Sequence, residues 1–110
     1  MSDDVQQRVF VALADPTRRM LIERLSAEGD KTSTELAKDL PITRQGVSKH
    51  LRILAEANLV SVRQDGRDRY YSLQPQQLTE AITWVDRVRA QWERRLSTLA
   101  DFLNQSAEKE

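Results

Sequence analysis

A chain of 110 residues is long enough for one small core and is marginal as an isolated monomer. It carries 17 Lys and Arg against 17 Asp and Glu, so the formal net charge is zero, which excludes a uniformly basic nucleic-acid coat protein. Any nucleic-acid contact must use a local patch. The absence of cysteine excludes disulfides, thiolate metal sites, Fe–S clusters and a cysteine nucleophile.

In chain order, Met1-Ser2-Asp3-Asp4 is acidic and lacks an apolar core, so no signal peptide is expected. No apolar run approaches the ~20 residues needed to span a bilayer, and the expectation is a soluble, cytoplasmic protein with no membrane contact. Val5–Ala14 is rich in apolar residues (Val5, Val9, Phe10, Ala12, Leu13) and reads as a short helix. Asp15-Pro16 supplies an N-cap and a proline at the first helical position, opening a helix to about Ala27 that stops before Gly29. Thr32-Ser33-Thr34-Glu35 fits a capping box and opens a third helix, with Leu36, Ala37 and Leu40 inward, ended by Pro41. Thr43 caps a fourth helix through Ala57, with Asn58 as its stop. Leu59–Gln64 alternates around Val60 and Val62, Asp65-Gly66 turns, and Tyr70–Leu73 resumes strand composition, which predicts a β-hairpin. Pro75 starts the last helix, to about Asn104, and the polar tail Gln105–Glu110 is expected to fray.

Two short helices joined by Pro41-Ile42-Thr43 and followed by a hairpin predict a winged helix-turn-helix. The expected architecture is mainly α with a small β-hairpin wing, in a single domain over 1–110. Residues 32–58 form the helix-turn-helix, 59–73 the wing, and 1–14 with 75–104 the dimerisation helices. At ~100° per residue Val47, Leu51 and Leu54 share the core face of the fourth helix. Gln45, Ser48, Lys49 and Arg52 share the opposite face, with amide, hydroxyl and cationic groups of lengths suited to base edges and phosphates. Gly46 lowers helix propensity there, so close approach of another backbone is expected. From Pro41 to Leu73 six cations (Arg44, Lys49, Arg52, Arg63, Arg67, Arg69) face three anions (Glu56, Asp65, Asp68). That leaves +3 in this stretch and −3 in the remainder. Positive charge therefore gathers on the reading helix and hairpin.

The run Thr43-Arg44-Gln45-Gly46-Val47-Ser48-Lys49-His50-Leu51-Arg52-Ile53-Leu54 resembles the recognition helix of ArsR-type repressors. Ala12-Leu13-Ala14-Asp15-Pro16-Thr17-Arg18-Arg19 is similar to that family's opening signature. Leu54–Val60 followed by Asp65-Gly66-Arg67 and Tyr70-Tyr71 looks like its helix-to-wing passage. The resemblance implies a homodimer, a palindromic double-stranded DNA operator and repression by blocking the promoter. By position it implies that Arg44, Gln45, Ser48 and Lys49 face bases or adjacent phosphates, with Arg52 on the same outward face. His50 lies about 60° from Val47 at the edge of the core face. It is either a packed histidine bonded to a nearby carbonyl or a donor to a DNA phosphate, and the two are compatible. Arg67 is the candidate to reach the flanking backbone or minor groove. Arg69 either joins it or pairs with Asp65 or Asp68.

Many members of that family sense metals through ligands in the helix before the recognition helix, which here reads Glu35-Leu36-Ala37-Lys38-Asp39-Leu40, without a thiol. A second family site uses Asp and His on the terminal helix, which has Asp86 but no histidine. Convergent N, S or O ligands are therefore not expected, nor is any metal or cofactor. Glu80, Asp86, Glu93 and Asp101 read instead as solvated partners of the helix's arginines. An effector, if one exists, is a small molecule or a protein.

Leu78, Ile82, Val85, Arg89, Trp92, Leu96, Leu99 and Leu103 recur at alternating four- and three-residue steps, a coiled-coil-like seam broken only by Arg89. Trp84, Val88 and Phe102 broaden it. Self-association is expected, with Val5 and Val9 packing alongside; a cofactor pocket on Trp84 and Trp92 is the weaker reading. An enzyme is not expected, since there is no Gly-rich phosphate loop and a single histidine. A winged-helix protein-interaction module that never touches DNA is the rival class.

Overall fold

The computed structural model describes residues 3–108, so Met1, Ser2, Lys109 and Glu110 lie outside the described residues. Eight elements follow in order: α1 (Asp3–Leu13), α2 (Pro16–Glu28), β1 (Lys31–Thr32), α3 (Ser33–Ala37), α4 (Arg44–Glu56), β2 (Val60–Asp65), β3 (Asp68–Leu73) and α5 (Gln76–Glu108). This is a winged helix-turn-helix, mostly helical, with one antiparallel sheet in the order β1-β3-β2.

The helix boundaries follow from local chemistry. Asp15 is extended and its carboxylate accepts from the Arg18 backbone N–H at 3.0 Å, with Pro16 in the first turn where no N–H is needed. Thr32 and Glu35 form the complete capping box of α3: Thr32 Oγ1 accepts from the Glu35 N–H and Glu35 Oε1 accepts from the Thr32 N–H, each at 3.1 Å. Asn58 ends α4 with φ 58°, a left-handed conformation that asparagine tolerates. The Leu59 N–H then bonds the Leu54 carbonyl at 2.9 Å and the Asn58 N–H bonds that of Ala55 at 3.0 Å. That is a Schellman motif, and its hydrophobic pair is Leu54 and Leu59, both fully buried.

Three expectations shift. The third helix stops at Ala37, not Leu40, because the Lys38 and Leu40 N–H groups bond the Glu35 and Ala37 carbonyls in tighter turns as the chain straightens into Pro41. The wing is three-stranded: Lys31 pairs with Tyr71 and Thr32 with Tyr70. Two residues give no readable alternation, so the strand was invisible in the pattern. Finally, α5 continues to Glu108, so Gln105–Glu108 are helical and not frayed.

The core collects one face from each short helix: Val9 and Ala12 of α1, Leu21 and Leu25 of α2, Leu36 of α3, Val47, Leu51 and Leu54 of α4. Leu59, Val60 and Tyr71 close it from the sheet. α5 adds only Ala81 fully and Leu78 partly. Its remaining length, about 50 Å in all for 33 residues, projects from the body. The radius of gyration is consequently 20.4 Å, against about 13 Å for a compact domain of this size.

Two predictions concern these ends. Asn58→Ala should lower stability in a urea titration by about 1–2 kcal/mol, while Asn58→Gly should match or exceed the parent; equal losses would deny the left-handed stop its role. Backbone N–H groups hold two carboxylates below their ordinary range: chiefly that of Arg18 for Asp15, and that of Thr32 for Glu35. A depressed carboxylate stabilises the fold while ionised, fully above its unfolded pKa of about 4 and no longer once pH has fallen through the lower folded value. Urea midpoints should hold from neutrality to about pH 5 and fall below about pH 4. The fall should be smaller in an Asp15→Asn, Glu35→Gln double variant; an equal fall would assign it to other carboxylates.

Candidate nucleic-acid interface

Helix α4 has its inner face fully excluded from solvent at Val47, Leu51 and Leu54. Its start is set by Thr43, whose Oγ1 accepts from the Gly46 N–H at 3.0 Å. Arg44, Gln45, Lys49 and Arg52 are exposed, and Ser48 and His50 are half-buried at the two margins. A Cβ added to Gly46 would meet Thr43 Oγ1 at 3.4 Å and Ile42 Cβ at 3.9 Å, which are side-chain contacts. Both are ordinary van der Waals separations, and among the described residues no backbone stands close to Gly46.

On the wing side, Arg44, Ser48 and Arg52 share an open groove of about 490 Å³ with Ser33, Val62 and Arg69. Val62, 47% exposed, forms its apolar floor, because β2 and β3 leave the body as a ribbon with only one covered end. Arg69 has no ion pair with Asp65 or Asp68 among the described residues, so it adds its charge to the groove. Arg63 is different: it pairs with Asp30 at 3.2 Å and stacks on Tyr70 at 4.9 Å. That cation belongs to the wing's own stability. At the hairpin end Gly66 has φ 63° and precedes Arg67, the φ pattern of a type II′ turn, and Gln64 Nε2 donates to the Gly66 carbonyl. Asp65 and Asp68 face each other across that end, two like charges flanking Arg67.

The opposite margin of α4 is fixed by residues that pattern reading passed over. Arg18 Nε donates to the Ala12 carbonyl at 2.8 Å and Nη2 to that of Val11 at 2.9 Å. Nη1 lies 3.3 Å from His50 Nδ1. Arg19 donates to the Leu13 carbonyl at 2.7 Å. The two arginines thus serve carbonyls at the end of α1, of which that of Val11 also accepts from the Ala14 N–H at 3.2 Å. His50 Nδ1 also stands 3.9 Å from Asp15 Oδ2, an ion pair only when the ring is charged. The carbonyl partner expected for His50 is replaced by this arginine. Arg24 does similar service, donating to the Leu36 carbonyl at 2.8 Å and so tying α2 to α3. The signal for Arg18 and Arg19 was their place just after the Asp15-Pro16 cap, within reach of the helix end before it.

On α5, Trp84 meets Phe10 edge-on at 5.3 Å between ring centroids and anchors the helix to α1. Ile82 before it and Val85, Val88, Trp92, Leu96, Leu99, Phe102 and Leu103 beyond it are exposed, from 46% at Val85 to 65% at Phe102. Trp92 lines an open surface groove with Val88, Gln91, Arg94, Arg95 and Thr98, and Trp84 is not among its lining residues. Arg89 points to Asp86 at 3.2 Å and Glu93 at 3.8 Å, the expected solvated pairing. Val9, assigned to the same surface as Val5, is fully buried in the chain's own core and is withdrawn from it; Val5 is half-buried. Among the described residues no three His, Cys, Asp or Glu side chains are placed to hold a metal ion, and no helix is long and apolar enough to cross a membrane.

Known proteins agree with this geometry. A helix-turn-helix domain model matches residues 13–63. The chain is 43% identical over 97 residues to the HTH-type transcriptional regulator Rv2034 of Mycobacterium tuberculosis, covering 88% of this chain and 87% of that one. It is 38% identical over 77 residues to the transcriptional repressor SdpR of Bacillus subtilis, covering 70% and 84%. A solved ArsR-like transcriptional regulator from Rhodococcus sp. RHA1 superimposes with a TM-score of 0.76 at 32% identity, covering 87% of this chain and 90% of that one. With fold, cap signature, reading helix and wing in agreement, the chain belongs to the ArsR family of winged helix-turn-helix transcriptional regulators, DNA-binding proteins and not enzymes.

Proposed function

We propose that this regulator is a homodimeric repressor, acting in the cytoplasm, that places α4 of each subunit in successive major grooves of a palindromic operator. The observation that carries the reading is the division of α4: one face is fully buried while Gln45, Lys49 and Arg52 stand free on the other. Gln45 and Lys49 on the crest, with Ser48 beside them, have the reach and donors for base edges. Arg44, Arg52 and Arg69 ring the wing-side groove and suit phosphates; His50 suits a phosphate on the far margin. Arg67 at the hairpin tip serves the flanking backbone, against the local opposition of Asp65 and Asp68. The site residues thus act in four places, and no single groove collects them.

The second subunit is supported by α5. A single helix exposing Ile82, Val85, Trp92, Leu96, Leu99 and Leu103, joined by Leu78 and Val5 nearer the body, is an apolar patch that isolated soluble domains seldom leave open. A second copy covers it and sets two reading helices about one DNA turn apart. Repression would follow from occupying the promoter; the Bacillus relative is named a transcriptional repressor. We read the chain as unresponsive to metals, since its α3 segment offers no thiol and α5 no histidine. Its effector, if it has one, is a small molecule or a protein.

Arg44→Ala and Lys49→Ala should each weaken binding to an operator selected from random duplexes by the parent protein, by about 1–3 kcal/mol per half-site. Unchanged affinity for both at fixed salt would remove α4 from the interface. Leu96→Asp should abolish dimers in sedimentation and operator binding together. A monomeric Leu96→Asp protein that binds as tightly as the parent would refute the dimeric reading.

A further inference from the structure

The margin of α4 that faces away from the wing contains a constraint on hydrogen atoms. A guanidinium cannot lose its proton in a protein and has donors only, so the 3.3 Å contact between Arg18 Nη1 and His50 Nδ1 is attractive only when Nδ1 offers its lone pair. A neutral imidazole with a bare Nδ1 carries its proton on Nε2. Arg18 itself has little freedom to rearrange, because its Nε and Nη2 are held by the Ala12 and Val11 carbonyls at the end of α1. Asp15 Oδ2 also stands near Nδ1, but at 3.9 Å it is too distant to accept a hydrogen bond, and it already serves the Arg18 backbone N–H at 3.0 Å. Nε2 has no protein partner among the described residues. His50 is half-buried, with its side chain 25% exposed.

We infer that Arg18, without touching DNA, is a positioning residue that fixes His50 as the Nε2–H tautomer and aims this donor at the operator backbone. The DNA-directed half of the inference rests on His50 being a phosphate contact; the tautomer does not. A consequence is that α1 and the reading helix share one side chain. A movement of α1, which carries Val5 on the dimer side and supplies both carbonyls, would release Arg18 and loosen the grip of His50. Subunit packing and DNA contact are thereby linked through a path of three residues.

His50 is the only histidine, so the ring of the full chain can be read without assignment by long-range proton–nitrogen correlation spectra at a pH where it is neutral. The parent should show a protonated Nε2 and a bare Nδ1, and Arg18→Met should move both nitrogen signals toward the average of two exchanging tautomers. Arg18→Met should also weaken binding to the selected operator on the order of tenfold with an unchanged salt slope, and add nothing in a His50→Ala background. A proton on Nδ1 in the parent, which requires no variant to fold, would overturn the inference, as would a spectrum indifferent to Arg18→Met. So would a salt slope reduced by about 1 per half-site, since Arg18 would then hold a phosphate directly. If His50→Ala binds as tightly as the parent, the phosphate contact fails while the spectra still decide the tautomer.

Discussion

Helix α4 can offer a polar face to a partner only because its other face is held on all sides. Val47, Leu51 and Leu54 are fully excluded from solvent, and each neighbouring element contributes to the pocket that receives them. α1 brings Val9 and Ala12, α2 brings Leu21 and Leu25, α3 brings Leu36, and the sheet brings Tyr71. A helix of 13 residues is marginal alone in water, so its order is tertiary in origin. The ends are fixed separately, by the Thr43 cap and by the left-handed Asn58, which keeps rotation and slippage from moving the exposed side chains. Both links are needed. Burial orients the helix, and its caps set which residues stand outward.

The same constraint explains why the arginines divide into two kinds. Arg18, Arg19 and Arg24 give their donors to carbonyls at helix ends, and Arg63 gives its charge to Asp30. These hold the scaffold. Arg44, Arg52, Arg67 and Arg69 have no ion pair among the described residues and collect on α4 and the wing. A chain of zero net charge can thus present a cationic surface without carrying the self-repulsion of a basic protein. α5 is the other departure from a closed domain, since of its apolar residues Leu78 and Ala81 join the core and Trp84 meets Phe10, while the rest of the stripe lies exposed.

Much of this was legible in the sequence, for physical reasons. Val47, Leu51 and Leu54 repeat at helical spacing, and caps such as Asp15-Pro16, Thr32 with Glu35, and Thr43 act over three or four residues, so both could be read locally. The hairpin was legible from Asp65-Gly66 and the flanking alternation. What escaped depends on contacts distant along the chain. β1 exists because Lys31 and Thr32 happen to lie beside Tyr71 and Tyr70. Val9 belongs to the core because α1 turns that side toward α4, which a single period cannot show. Arg18 and His50 are 32 positions apart, and no spacing rule joins them. The candidate residues on α4 could be read together because they share one helix; the contact of Arg18 with His50 could not, because it joins two.

The most direct test is methylation interference on a selected operator, with guanine N7 in the major groove and adenine N3 in the minor groove read on the same fragment. Two clusters of interfering guanines, centred about 10 base pairs apart on one face of the duplex, are predicted from two α4 helices in successive major grooves. A single guanine cluster, or interference confined to adenine N3, would contradict the reading of DNA by α4 in a dimer.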